Sequence, residues 1–523
     1  MKTGSITPYP RIDQRSRQMQ DDLGNASSLL LGLDQGSTTC RAVLYDLEAH
    51  IIAEAYREVY PHHPYPTWAE VEPEDWWQAT VMVIREVLAS SGVDPTRIAG
   101  VGLTALLHAA VPVDETGQPL ARAMLWMDQR CQPQVEWMIQ EHGAKIEAVM
   151  GPGRQPSTTF TAPKLRWWLE NQPEVIQRTY KFLWPKDFIR YRLTGAMASD
   201  PTDAGGAFLL HPERRWAWEI MELIGVSSEK LPPMLEPYQV AGQVTAQAAR
   251  ETGLAGGTPV VAGCGDTLAT LIGANANQPG RGCLYIGTAA WLSLGSFSRY
   301  FAPPQSKVSG ERRWGFGAAA TTGATVKWFR DLVSGCPEGG GVRELVDYEA
   351  LFEEAATVEP GAEGVIFLPH LMGERGLNNP YAKGVFFGLT LAHGRQHLMR
   401  AVLEGSAYFL RQLIEQAGEP LEEMVAVGGG AKSPLWRQIF ADVTGVRVLT
   451  PRILETGALG AAILAGVGVG LYPSVAQAAE RWVEIVSEHS PDPCWRERYD
   501  RIYCLYRELE DRVAPLYPQV PVE

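Results

Sequence analysis

The sequence has no Cys-x-x-Cys spacing, no block of like charges and no low-complexity tract. Its seven cysteines, Cys40, Cys131, Cys264, Cys283, Cys336, Cys494 and Cys504, form an odd, scattered set. That excludes a disulfide scaffold or a zinc ribbon and predicts a reducing, cytoplasmic setting. The net charge of -14 comes from interspersed acids and bases, which argues against nucleic acid or an anionic membrane as partner. A local site can still hold a polyanion through backbone N–H groups. Residues 1–27 lack an apolar h-region and read as a mobile tail rather than a signal peptide. The one long charge-free stretch, Thr456 to Ala479, contains Pro473 and several glycines, so a tightly packed buried helix is predicted instead of a membrane span.

What remains is a chain of 523 residues, 45% hydrophobic and 20% charged, large enough for two or three cored domains. Strand-like runs alternate with amphipathic helical segments, the pattern of α/β domains. Ser28–Leu33 and Arg41–Tyr45 read as strands joined by a Gly/Ser/Thr turn. Pro73 opens a helix over 74–88 with Trp77, Val81, Ile84 and Leu88 on one face. Residues 98–103 form another strand, and Arg281–Leu294 repeats the opening hairpin around a Gly-Thr-Ala turn. The repeat predicts a duplicated α/β architecture, with units over 28–274 and 275–523 meeting at the linker-like string Gly273–Gly280. Tyr499, Tyr503, Tyr506 and Leu509 form a stripe that docks the last helix.

In the first hairpin, Asp34 ends a buried strand and Gly36 allows a tight turn. Ser37, Thr38 and Thr39 offer hydroxyl and N–H donors, and Arg41 adds a cation on the returning strand. Such a turn can wrap phosphate oxygens while the carboxylate faces a hydrated Mg²⁺, although an ordinary hairpin shows the same string. The second hairpin sets Gly287 and Thr288 in the places of Gly36 and Thr38, so two turns can grip a triphosphate from both sides. Asp266 follows a strand and two glycines, beside Thr267; a carboxylate there can take a hydroxyl proton, or simply cap the next helix. Gly428-Gly429-Gly430 follows a strand, with Ser433 as N-cap and Pro434 at the first helical position. A Rossmann fingerprint does not fit, because no acid stands about twenty residues on. Trp76 and Trp77 read as core, Trp68 as core or sugar-stacking, and His62-His63 as a surface loop.

The paired hairpins resemble the actin, hexokinase and Hsp70 type of ATPase fold, with two ribonuclease-H-like domains about a cleft. Longer strings are similar to the FGGY carbohydrate kinases, and among these to the xylulokinases, from about Leu29 to the last helix. They are Leu125–Arg130, Thr159–Trp168, Trp184–Gly195, Asp200–Leu210 and the signature Gly384–Leu389, His397-Leu398 and Ala401–Glu404. The resemblance implies an ATP-dependent sugar kinase with ATP·Mg²⁺ as cofactor and a small ketose, D-xylulose foremost, as acceptor. It assigns Asp266 as catalytic base and Asp34 to the metal, through water. Gly36, Ser37, Thr38, Thr39, Arg41, Gly287, Thr288, Gly323, Lys327, Gly429, Gly430 and Ser433 go to the nucleotide, with Lys327 equally readable as a solvated helix residue. Leu107, His108, Trp126, Asp128, Arg130, Asp266 and Thr267 go to the sugar. Two departures fall on the sugar side. Leu106-Leu107-His108-Ala109 stands where family members read Gln-Met-His-Gly, and Gly373–Leu377 reads Gly-Glu-Arg-Gly-Leu instead of Gly-Glu-Arg-Thr-Pro. Other FGGY acceptors (ribulose, an alditol, gluconate, glycerol) and an actin- or Hsp70-like ATPase are the alternatives. A homodimer is compatible with the sequence.

Overall fold

The computed structural model describes residues 28–301, 315–319, 321–334, 345–373, 381–418 and 420–520. The predicted tail 1–27, Cys336 and the variant residues Glu374–Leu377 lie outside them. The chain opens with β1 (Leu29–Gln35), β2 (Thr39–Tyr45) and β3 (Ile51–Glu58), then helix α1 (Pro73–Ser91) and β4 (Ile98–Ala105). Pro73 starts α1, Gly92 ends it in the left-handed conformation, and Trp76 and Trp77 are both fully buried, as the core reading requires.

An insertion follows that carries α2 (Thr161–Asn171), α3 (Pro185–Thr194) and the one-turn α4 (Pro201–Gly206). The chain then returns through β5 (Val240–Gln243), β6 (Pro259–Val261), β7 (Cys264–Gly265) and α5 (Asp266–Gly273). The first sheet runs β3-β2-β1-β4-β6-β5, with β7 paired to β4.

After the linker come β8 (Arg281–Ile286), β9 (Ala290–Leu294) and β10 (Gly315–Ala319), then α6 (Gly323–Val333) and the 23-residue α7 (Arg395–Ala417). The chain closes with β11 (Glu423–Val427), α8 (Pro434–Thr444), β12 (Arg447–Pro451), α9 (Thr456–Gly468), β13 (Ile485–His489) and α10 (Pro493–Val513). The second sheet runs β10-β9-β8-β11-β12-β13. Each sheet has an antiparallel three-strand meander whose first strand pairs in parallel with the next strand of the sheet, β1 with β4 and β8 with β11. The duplication inferred from the two hairpins is therefore present in the topology. The sixth strands differ in origin, since β5 precedes β6 whereas β13 follows β12.

The charge-free stretch Thr456–Ala479 is not one helix: it forms α9 to Gly468, buried along nearly its whole length, and resumes as a second helix from Val475. Helix α9 belongs to the second half of the chain yet lies on the first sheet. A Cβ at Gly32 or Gly102 would overlap the carbonyl oxygen of Ala458 or Ala461, and one at Gly460 would overlap that of Ala269 in α5. Backbone thus meets backbone across the two halves, and a shared core forms there from Leu30, Val43, Leu268, Val425, Ala458 and Ile463. Among the described residues no helix is long and apolar enough to cross a membrane. Tyr499, Tyr503 and Tyr506 are buried on α10, the docking stripe read from their spacing.

Candidate active site

The two hairpin turns, α5 and the start of α9 converge on a pair of carboxylates. Asp34 sits at the end of β1, paired across the hairpin with Arg41 and on its other side with Thr104 of β4. Burial pushes its carboxyl up to about 7, helped by the facing charge of Asp266 and by Glu455, while Arg41 acts in the opposite sense. A Cβ at Gly457, in the first turn of α9, would overlap the Asp34 carboxylate, so only glycine lets this helix start come so close. Arg41 reaches Glu455 at 3.6 Å and Glu54 at 3.9 Å.

Asp266 is the first residue of α5, not its N-cap; the cap position is Gly265 and makes no side-chain bond. Its Oδ1 accepts from the Thr267 N–H at 2.7 Å and the Thr267 hydroxyl at 3.3 Å, and burial raises its carboxyl to about 6. Asp34, Asp266, Glu455 and Arg41 all act electrostatically on Tyr285 of β8, which brings the second hairpin to the same place.

The turns themselves are built alike. The Gly36 N–H donates to the Thr39 carbonyl and the Gly287 N–H to the Ala289 carbonyl, the second turn being one residue shorter. Ser37 accepts from Trp126 Nε1 at 3.0 Å, while Thr38 and Thr288 are exposed at the tips. Thr322, Gly323 and Ala324, at the start of α6, give their N–H groups to the carbonyls of Gly287 and Thr288. A Cβ at Gly323 would overlap the Gly287 carbonyl, so this glycine serves the packing of helix on hairpin. Lys327 is exposed and pairs with Asp331 at 2.6 Å, one turn along the same helix. Ser433 caps α8, accepting from Trp436 N–H, and Pro434 is the first helical residue as predicted. Gly429 opens onto free space, whereas a Cβ at Gly430 would overlap Ile286.

His108 follows β4, the strand that β7 pairs with just before Asp266, and is a non-glycine residue at φ 75°. Its carbonyl accepts from the Thr161 hydroxyl at 3.0 Å and from Lys164 Nζ at 3.2 Å, which hold the strained backbone. Its Nδ1 donates to the Gly206 carbonyl at 2.6 Å, and burial lowers the ring to about 4. The imidazole is therefore neutral near pH 7, with Nε2 left as an acceptor. Leu107 packs where a Cβ on Gly265 would be, and Phe160 lies edge-on to the His108 ring at 5.6 Å.

Asp128 and Arg130 are spent on each other. Asp128 accepts from the Ala69 N–H at 2.8 Å and from Arg130 Nε, and Arg130 also reaches Glu70 at 2.7 Å. The Arg130 guanidinium lies 3.5 Å over the ring of Trp68, so Trp68 is engaged as well. Lys164, Thr202 and Gly206 escape a reading of the sequence, although they lie in the family-like strings, because long-range side-chain-to-backbone bonds leave no periodicity to read.

One signature residue is structural. Glu404 is buried and accepts from Arg400, from Tyr499 and from the Gly361 N–H, tying α7 to α10. Among the described residues no group of three or more His, Cys, Asp or Glu side chains could hold a metal ion. A cation beside Asp34 would therefore take most of its ligands from phosphate and water, the habit of Mg²⁺. Two carboxylates raised by burial, Asp34 also by the charge of Asp266, fit such a cation, since it would favour their ionised forms.

Comparison with known proteins gives the family. The family model described as "FGGY family of carbohydrate kinases, N-terminal domain" matches residues 29–273, and its C-terminal counterpart matches 296–469. The chain is 31% identical to the xylulose kinase of Escherichia coli (strain K12), over 93% of this chain and 100% of that enzyme. It is 32% identical to the glycerol kinase of Thermococcus gammatolerans, over 92% and 97% of the two chains. The crystal structure of xylulose kinase from Rhodospirillum rubrum superimposes with a TM-score of 0.80 at 29% identity, over 94% of this chain and 99% of that one. Two matched models, enzymes alike over their whole length and a duplicated fold about two carboxylates lead to one conclusion: the chain belongs to the FGGY family of carbohydrate kinases.

Proposed function

We propose that this sugar kinase phosphorylates a small ketose, D-xylulose foremost, at its terminal 5-hydroxyl, with Asp266 as the general base. The observation that carries the reading is Asp266 itself: a carboxylate raised to about 6, with one oxygen engaged by Thr267 and its charge acting on Asp34. A base whose pKa lies just below the working pH is ionised yet still able to take a proton. Neutral His108 offers Nε2 to a sugar hydroxyl, and Leu107 and Phe160 close an apolar side of the same place. The residues that would hold ATP·Mg²⁺ are the turn residues Gly36–Thr39 with Arg41, the second turn Gly287-Thr288, Gly429 beside its open space, and Asp34 facing the cation. When bound, the nucleotide supplies the γ-phosphoryl group, and the metal neutralises the charge that develops on it. The two halves meeting around the site would exclude the water that otherwise hydrolyses ATP.

The comparable identity to xylulose and glycerol kinases keeps a second acceptor class, glycerol or an alditol, beside the first. ADP release measured across D-xylulose, ribulose, an alditol, gluconate and glycerol separates them. The highest kcat/KM is expected for D-xylulose, a higher value for another acceptor reassigns the substrate, and flat release across the panel refutes acceptor phosphorylation. Asp266→Asn is expected to lower kcat by about 10³-fold with ATP affinity retained. The base form is lost as pH falls through about 6, so kcat/KM should decline on that side.

A further inference from the structure

Five charged side chains are buried together behind the base loop. Lys186 Nζ lies 2.6 Å from Asp187, 2.9 Å from Asp200 and 2.7 Å from Asp203, and Arg190 reaches Asp187 at 3.0 Å. None of the five is more than 1% exposed. Apolar side chains of similar volume would fill such a space at no greater cost in stability, so a buried cluster of this kind points to a demand on geometry.

Two arms leave the cluster, both through α4. In the first, Asp200 Oδ2 accepts the Thr202 hydroxyl proton at 2.6 Å. The Thr202 oxygen, having given its one proton, accepts the Gly265 N–H at 2.7 Å, one residue before Asp266. In the second, the Gly206 carbonyl at the far end of the same helical turn accepts His108 Nδ1–H at 2.6 Å. Arg190 holds the start of the base loop through the Ala262 carbonyl at 2.7 Å, and Gly263 turns the loop at φ 76° between these two anchors.

We propose that the Lys186 cluster, acting through α4, sets Asp266 and His108 in register with each other, which makes Lys186 and Thr202 positioning residues for phosphoryl transfer. The inference rests on the reading of Asp266 as base. One rigid turn then ties the group that removes the proton to the group that holds the sugar. Burial and the neighbouring Asp187 and Asp200 raise the carboxyl of Asp203, while Lys186 acts against them.

The test uses full-length enzyme and steady-state kinetics on its best acceptor. Thr202→Val removes the hydroxyl and keeps the shape; kcat should fall by about 100-fold, the cost of misplacing a reacting group by about an ångström. The sugar KM and the affinity for Mg·ATP should stay within about twofold, and Thr202→Ser should restore kcat. Lys186→Met releases both arms, so it should lower kcat and raise the sugar KM together; should it not fold, the Thr202 pair decides alone. Wild-type kcat in Thr202→Val, with Asp266→Asn inactive, overturns the proposal and leaves the base assignment standing. A parallel loss of ATP affinity in Thr202→Val overturns it too, as general loosening. Wild-type kcat in Asp266→Asn removes the base assignment and this inference with it.

Discussion

The same register position of two like-built sheets holds an acid–base pair in one half and an aromatic pair in the other. Asp34 faces Arg41 one pair below the first turn, and Tyr285 faces Trp291 one pair below the second. Tyr285 and Trp291 stack at 5.5 Å and 15°. A duplicated scaffold has thus given its charge to one hairpin and an apolar, flat surface to the other. Of the two hairpins only the first carries a carboxylate at this position; the second offers turn and ring, and the second half brings its acid to the site through Glu455 instead. The contrast also shows why the halves interlock: α9 leaves the second half to close over Asp34 in the first.

The largest effect tests that interlock. Gly102→Ala would drive a methyl into the Ala461 carbonyl, and with backbone on both sides nothing flexible can yield. A loss of at least about 3 kcal/mol in urea unfolding is expected; a variant of wild-type stability would mean that α9 does not seat on the first sheet.

Asp34→Asn comes next, and its two readouts should move in opposite directions. Activity should fall by 100-fold or more. Stability of the ligand-free protein should rise at pH 8, because the folded carboxyl titrates near 7 against an ordinary value near 4. A group raised in the folded state binds more protons there, so native stability grows as pH falls from about 7 towards 4. The variant removes that dependence; its advantage at pH 8, at most about 4 kcal/mol, should shrink to nothing by pH 4. Equal melting curves at both pH values would show that the carboxylate is not strained.

The smallest effect belongs to the aromatic pair. Trp291→Leu should cost about 1 kcal/mol from the lost stacking and change kcat by less than threefold. A loss of activity rivalling that of Asp34→Asn would make the two hairpins functional equals and erase the distinction.

The hairpins, α1, the cap at Ser433 and the docking stripe of α10 were legible in the sequence because each rests on local chemistry. A proline starts a helix, a serine caps it, and a period of three or four selects a buried face. Family-specific strings likewise announced a kinase, although the signature's Glu404 turned out to hold two helices together rather than to touch the site. Asp128 and Arg130, assigned to the sugar by resemblance, lie in an ion pair with each other and Glu70, which their spacing of two residues alone did not disclose.

By itself the sequence determined the α/β duplication and the kinase family and singled out Asp34 and Asp266 as candidates, since those readings depend on residue order and on pairing between neighbours. Only the tertiary structure decided that Gly457 must be glycine, that His108 is a neutral acceptor, and that Thr202 links a buried lysine to the base loop. Each of these rests on contacts between residues tens to hundreds of positions apart. Through-space distance, burial and the direction of a hydroxyl proton exist only once the chain has closed.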